Sequence, residues 1–242
     1  MPHPKAPPKN TTLQLASPST HPRLSATARR EQLVQVAVDL FSRKGFNGTT
    51  TREIAAAAGV TEAIIFRHFA TKEHLYTAII DRKVNSPDTA SWIASLHCAM
   101  DRDDDEAVIR QLIEAIISTH KCDPKFERLM QYAALEGNEI ALRYMRQVTA
   151  LILDAFRSYF TRRQKQGHLR PFGPDVALSA IVGLAQHYAL GKYVHEIKDQ
   201  CLSDSQALEC FTRIAMDGLC ASPRPKISEV RKPRAKKMTR KR

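Results

Sequence analysis

The segment Thr50–Phe69, TTREIAAAAGVTEAIIFRHF, decides how the chain is read. Thr50 and Glu53 stand three apart, the spacing at which a capping hydroxyl and a returning carboxylate satisfy each other's backbone amides, so a helix opens there. Gly59 falls where that helix must stop and turn, a place for a residue free to take positive φ. Thr61 is placed to cap a second short helix running to Phe69. Ile54 and Ala58 face inward, and the small Ala55 lets the partner helix approach closely. Val60 anchors the turn, while Ile65 and Phe69, four apart, hold the second helix down. With Ile65 buried, Ala63 and Arg67 lie about 200° away around the helix and point outward, flanked by Glu62, Ile64 and Phe66. The pattern is two helices packed across a tight turn. Its outer helix carries a small and a basic residue outermost and is slim enough to enter a major groove ~12 Å wide.

Outward from this segment the chain reads as helix after helix. Leu33, Val36, Ala37, Leu40 and Phe41 repeat at helical spacing and predict a first helix that stops at Gly45. Thr71 caps a helix from Lys72 to about Val84. Ser86-Pro87 and Asp123-Pro124 each put a capping side chain before a proline at the first helical position, so helices begin near 87 and 124. Ala107–His120 is apolar on several faces, the mark of a largely buried helix. A long amphipathic run covers about Glu139 to Lys165 and breaks at Gly167. Pro174 opens a helix to about Lys198, and Ser203-x-x-Gln206 caps a last one to about Leu219. Nine or ten helices and no convincing strand predict an all-α fold.

The block from Ala28 to about Ile80, with its TTR start, GVT turn, RHF end and following Thr71-Lys72-Glu73, resembles the N-terminal DNA-binding domain of the TetR family of transcriptional regulators. The resemblance implies a three-helix helix-turn-helix domain over residues 25–85, followed by a larger helical domain over 86–222 that binds a small effector and forms the dimer. Thr50 and Thr51 match the family's phosphate-binding place at the start of the second helix, where orphan amides and the helix dipole favour anions. Arg52 matches a position able to reach a base, its fork suited to guanine O6 and N7. Thr61, His68 and Lys72 match phosphate-binding positions. Glu62, Ala63, Ile64 and Arg67 match base-facing ones. Two residues depart from the pattern. Phe66 stands where the family usually has Tyr and can only pack on sugar or a thymine methyl. Glu62 is an acid facing a polyanion; it either accepts from cytosine N4 or serves the helix dipole as a first-turn acid. The helix Lys72–Val84 is the expected lever between the two domains.

Composition narrows the remaining choices. No apolar run approaches the ~20 residues needed to span a bilayer, and the proline-rich start has no apolar core of a secretory signal. Five cysteines without CxxC spacing fit free thiols in a reducing cytoplasm, and the expected location is cytoplasmic, associated with the nucleoid. The net charge of +12 sits in the tails. Residues 1–24 hold three bases, no acid and six of the thirteen prolines; residues 223–242 hold ten bases and one acid, leaving the body between neutral. Both tails are expected to be disordered. The C-terminal one is either a cationic arm adding nonspecific phosphate affinity or a solvated tail.

In the larger domain, Ala177, Ile181, Leu184 and Tyr188 step 4, 3, 4, as do Ala207, Phe211, Ile214 and Gly218. These seams either pair helices 174–198 and 203–219 with their mates in a homodimer or pack inward on their own subunit. Trp92, Phe126, Met130, Phe156, Tyr159 and Phe160 are candidates to line an apolar effector cavity, with His120 or His187 as a polar contact. The acidic run Asp101–Glu106 lacks the glycine and spaced ligands of a calcium loop, so no metal is expected, and no cofactor. No GxSxG, phosphate loop, HExxH or supported Cys/His pair points to an enzyme. The expected function is a homodimeric regulator, a repressor that binds a palindromic double-stranded DNA operator and leaves it when a largely apolar small molecule binds. The alternative is an architectural protein coating DNA through its basic tails.

Overall fold

The structure, a computed structural model, describes residues 24–84, 86–197 and 202–221. The two tails, Leu24 apart, and the expected helix end at Lys198 lie outside the described residues. Among those described there are ten α-helices: α1 (Ala26–Lys44), α2 (Thr51–Ala58), α3 (Glu62–His68), α4 (Lys72–Val84), α5 (Pro87–Asp101), α6 (Asp105–Cys122), α7 (Pro124–Glu136), α8 (Glu139–Lys165), α9 (Pro174–Ala189) and α10 (Asp204–Leu219). A π-helical turn, Leu190–Val194, follows α9. The β pairing among these residues is one isolated bridge, Leu169 to Cys220. The fold is all-α.

Local chemistry sets the helix starts. Ser86 accepts from Thr89 N–H and Asp123 from Phe126 N–H, each ahead of a proline at the first helical position. Thr71 accepts from His74 N–H at 3.2 Å. Reciprocal capping boxes open α2 (Thr50 with Glu53) and α10 (Ser203 with Gln206). Thr61 stands at the N-cap of α3, but its side chain makes no capping hydrogen bond.

Glu53 also pairs with Lys44 at 2.7 Å. That ammonium first, and then the Thr50 N–H and hydroxyl, hold its carboxyl down to about 2 from an ordinary 4.5. A carboxylate depressed by folding stabilises the native state above its unfolded pKa and loses that contribution as pH falls through the folded value. Glu53→Gln is therefore expected to flatten the stability profile between pH 4.5 and about 2 and leave its slope above 4.5 unchanged, read from thermal unfolding across pH.

The continuation of α9 toward Lys198 is corrected by the π turn. His195 N–H bonds the Leu190 carbonyl at 2.8 Å, five residues back, which widens the helix and ends it at Val194. The distortion brings Lys192 (2.9 Å) and Tyr193 (2.6 Å) onto Asp204, the first residue of α10, which also accepts from Lys121 at 2.8 Å and Tyr188 at 3.0 Å. Tertiary hydrogen bonds override the regular helix here.

The described chain has two apolar clusters. One joins α5, α6, α9 and α10 with Phe156, Tyr159 and Phe160 of α8, and α6 runs through its middle. The other holds α1 to α4 but does not close on itself, because Phe126, Leu129, Met130 and Ala133 of α7 and Ala141 of α8 belong to it. The most extensive partner of α1 is α7, more so than α2 or α4.

The acidic run before α6 is spent on α8. Asp105 receives both the Nε and Nη2 of Arg163 at 2.8 Å and the hydroxyl of Tyr159, and Asp103 pairs with Arg162 at 2.8 Å. Burial, then the Asp105 carboxylate, push the Tyr159 phenol up.

Of the two seams expected to pair or to pack inward, the one on α9 faces inward, and the one on α10 is buried at its start and open at Ile214 and Gly218. Ala177, Ile181, Tyr188 and Ala207 are buried within their own subunit, while Leu184 and Phe211 are half-buried. The open stripe on α9 lies one residue earlier, at Val176, Ala180, Gly183 and His187; on α10 it comprises Ile214 and Gly218.

Candidate nucleic-acid interface

The loop between α1 and α2 and the turn between α2 and α3 set the geometry of this site. Gly59 takes φ +66°, the left-handed conformation that lets its N–H and that of Val60 return to the Ala56 and Ala55 carbonyls at 3.2 and 3.0 Å. Ile54, Ala55 and Ala58 are buried beneath the turn, and Ile65 is fully buried and pins α3 from below. The opposite side of α3 is open: Ala63, Phe66 and Arg67 are exposed, with Phe66 at 49% the one large apolar residue there. Glu62 and Ile64 are half-buried on the flanks.

The charged groups differ in how free they are. Arg52 and Arg67 are exposed and have no ion-pair or hydrogen-bond partner among the described residues, so an outside acceptor would compete with nothing but water. Thr50 is exposed, whereas the half-buried Thr51 donates its hydroxyl to Glu62. That bond ties the start of α2 to the start of α3 and employs one carboxylate oxygen of Glu62. Thr61 is exposed. His68 is half-buried, and its Nε2 is buried without a hydrogen-bond partner. Lys72 is engaged inward: its ammonium donates to the carbonyls of Phe46 (2.9 Å) and Thr49 (3.0 Å) and lies 4.1 Å from the Phe46 ring centre.

A capped helix, a left-handed glycine turn and a second short helix with one bare face define a helix-turn-helix protein. Residues 33–79 match the family model described as bacterial regulatory proteins, tetR family. RutR of Escherichia coli K12, an HTH-type transcriptional regulator, is 25% identical over 200 residues, covering 81% of this chain and 92% of its own. Among solved structures, native NalD of Pseudomonas aeruginosa, the secondary repressor of the MexAB-OprM multidrug efflux pump, shares the fold with a TM-score of 0.61 at 20% identity, over 82% of this chain and all of NalD. AibR, solved with isovaleryl coenzyme A and operator DNA, does so with a TM-score of 0.57 at 20% identity, over 77% and 97% of the two chains. Residues 33–79 thus form a helix-turn-helix domain of the TetR type, and over most of its length the chain is similar to DNA-binding transcriptional regulators rather than to enzymes.

The candidate effector residues do not converge. Trp92, Phe156, Tyr159 and Phe160 pack in the cluster around α6, whereas Phe126 and Met130 lie in the cluster with α1 and α4. His120 is buried at the end of α6, its Nδ1 2.8 Å from the Ile116 carbonyl and its Nε2 3.6 Å from Glu127. His187 is exposed on the outer side of α9, beside a groove of about 660 Å³ that also touches Gly183, Leu184 and Phe211. Sequence reasoning also missed Tyr132 and Glu136 at the end of α7, which grip α1 and its following loop; nothing local marks them except an acid at a helix C-terminus.

Proposed function

We propose that the protein is a homodimeric, ligand-responsive repressor in which residues 25–85 read a palindromic operator and residues 86–222 hold the effector and form the dimer. The bare face of α3 carries this reading: Ala63, Phe66 and Arg67 stand outward while Ile65 anchors the helix. Thr50, Thr51, Thr61 and His68 lie around it as phosphate contacts, with Arg52 and Arg67 as base contacts. Two such helices must sit ~34–36 Å apart to enter successive major grooves, which requires a dimer. The outer stripes of α9 and α10, with Val176 and Ile214 exposed at 66% and 55%, supply a self-complementary face for it. An effector acts by binding better to a conformation with another spacing of the two helices. No helix among the described residues is long and apolar enough to cross a membrane.

Footprinting of the DNA upstream of the protein's own gene, with and without cell extract, tests the reading: a protected palindrome lost on adding extract is the expected result. Protection of no discrete site would refute it. The dimer has a separate test. Gly183 is exposed and a Cβ there meets nothing within 4 Å in the protomer, so the side chain of Gly183→Arg starts into open space. It is expected to give folded monomers by sedimentation and to abolish operator binding. A dimeric Gly183→Arg protein would exclude this face.

A further inference from the structure

A carboxylate at a helix C-terminus faces the negative end of the helix dipole and is misplaced by local rules. Glu136 is the last residue of α7, just before Gly137 ends the helix at φ +65°. Local rules broken without local compensation mark places where a tertiary contact decides. Here the compensation comes from the loop between α1 and α2. The Glu136 carboxylate accepts from the N–H of Phe46 at 3.0 Å and from the N–H of Asn47 at 3.3 and 3.4 Å, across some 90 residues of sequence. Charge-assisted bonds to backbone amides are the stronger kind.

Gly45 has the matching shape. It takes φ +73°, and a Cβ there would lie 2.2 Å from Glu136 Oε1 and 3.2 Å from the Tyr132 ring, so both conformation and close approach require glycine. On the other side of the loop, Lys72 of α4 holds the Phe46 and Thr49 carbonyls. The loop is thus fixed through its amides by α7 and through its carbonyls by α4. Thr50, the cap of α2, follows directly.

We infer that Glu136 is a positioning residue for DNA binding: from the end of α7 it sets the loop that aims the start of α2, and with it α3, at the duplex. A shift of α7 against α1 must break two charge-assisted bonds or carry the start of α2 along. This rests on α2 and α3 being the DNA interface, and the controls separate the two claims.

The test uses the full chain as Glu136→Ala, Glu136→Gln and Tyr132→Phe. Tyr132→Phe removes a neighbouring bond from α7 to α1, Tyr132 hydroxyl to Arg43 carbonyl at 3.1 Å, without touching the loop. Anisotropy compares affinity for the DNA upstream of the protein's own gene with that for a random duplex, and hydrogen exchange follows the Phe46 and Asn47 amides. Loss of a negative charge should raise affinity for any DNA through the sequence-independent phosphate attraction. A fall in specific affinity therefore runs against the charge effect.

Glu136→Ala is expected to lower the ratio of specific to random affinity about tenfold, the size of one charge-assisted hydrogen bond, and to speed exchange of both amides. Glu136→Gln, which keeps one acceptor, should recover most of the ratio, and Tyr132→Phe should leave it unchanged. An unchanged ratio in Glu136→Ala, or an equal loss in Tyr132→Phe, overturns the inference. Unchanged ratios in both Glu136→Ala and Arg67→Ala would instead overturn the DNA interface itself.

Discussion

Arg67→Ala is expected to weaken operator binding by roughly tenfold to a hundredfold, the worth of one bidentate base contact, while affinity for random duplex falls far less. The expectation follows from what Arg67 lacks. It is exposed on α3 and makes no hydrogen bond or ion pair within the described residues, so its removal costs the fold nothing. Arg52→Ala should behave alike, since Arg52 is exposed on α2 and equally unpartnered. Lys72→Ala should differ in kind. Its ammonium holds two loop carbonyls, so the variant loses stability and weakens on every DNA. Titrations on operator and random duplex, with a melting curve for each variant, separate the cases. Equal losses on both DNAs for all three variants would remove α3 from the role assigned to it.

The second large effect is on stability. Asp105 and Arg163 are 12% and 8% exposed and meet in a two-pronged pair, joined by the Tyr159 hydroxyl. Removing Asp105 leaves the buried Arg163 only Asp103, at 3.3 Å, and Gln166 as partners, so Asp105→Ala is expected to cost about 3 kcal/mol. For a chain of this size that lowers Tm by on the order of ten degrees. Replacing both partners with apolar residues, Asp105→Ala with Arg163→Met, removes the buried charge and should restore much of the loss. Chemical denaturation of the two single variants and the double one measures this. A cost below ~1 kcal/mol for each single variant, the value of an exposed pair, would show that water reaches the site.

Helix starts were legible because capping is local: Ser86-Pro87, Asp123-Pro124 and the two capping boxes act within four residues. The end of α9 was not, since the π turn answers to Asp204, which lies beyond a loop. Periodicity revealed two seams on α9 and α10 but not their facing. A 4, 3, 4 step fits Ala177, Ile181, Leu184 and Tyr188 as well as Val176, Ala180, Gly183 and His187, and about 100° of rotation separates the sets. Only tertiary packing tells which is covered. The split of the apolar candidates was hidden for a related reason: Phe126 and Phe156 look alike in sequence but join different clusters. The outward face of α3 was legible because Ile65 alone fixes a seven-residue helix. Glu136 was not, because its partners stand some 90 positions away.

The sharing of α7 between the two halves bears on chimaeras. A swap cut after α4 would strip Phe126, Leu129, Met130 and Ala133 from beneath the transplanted head, exposing a seam that a new host must rebuild atom for atom. Regulators assembled from interchangeable heads and sensors would therefore need α7 to travel with the head, or a host helix recarved to match its apolar side.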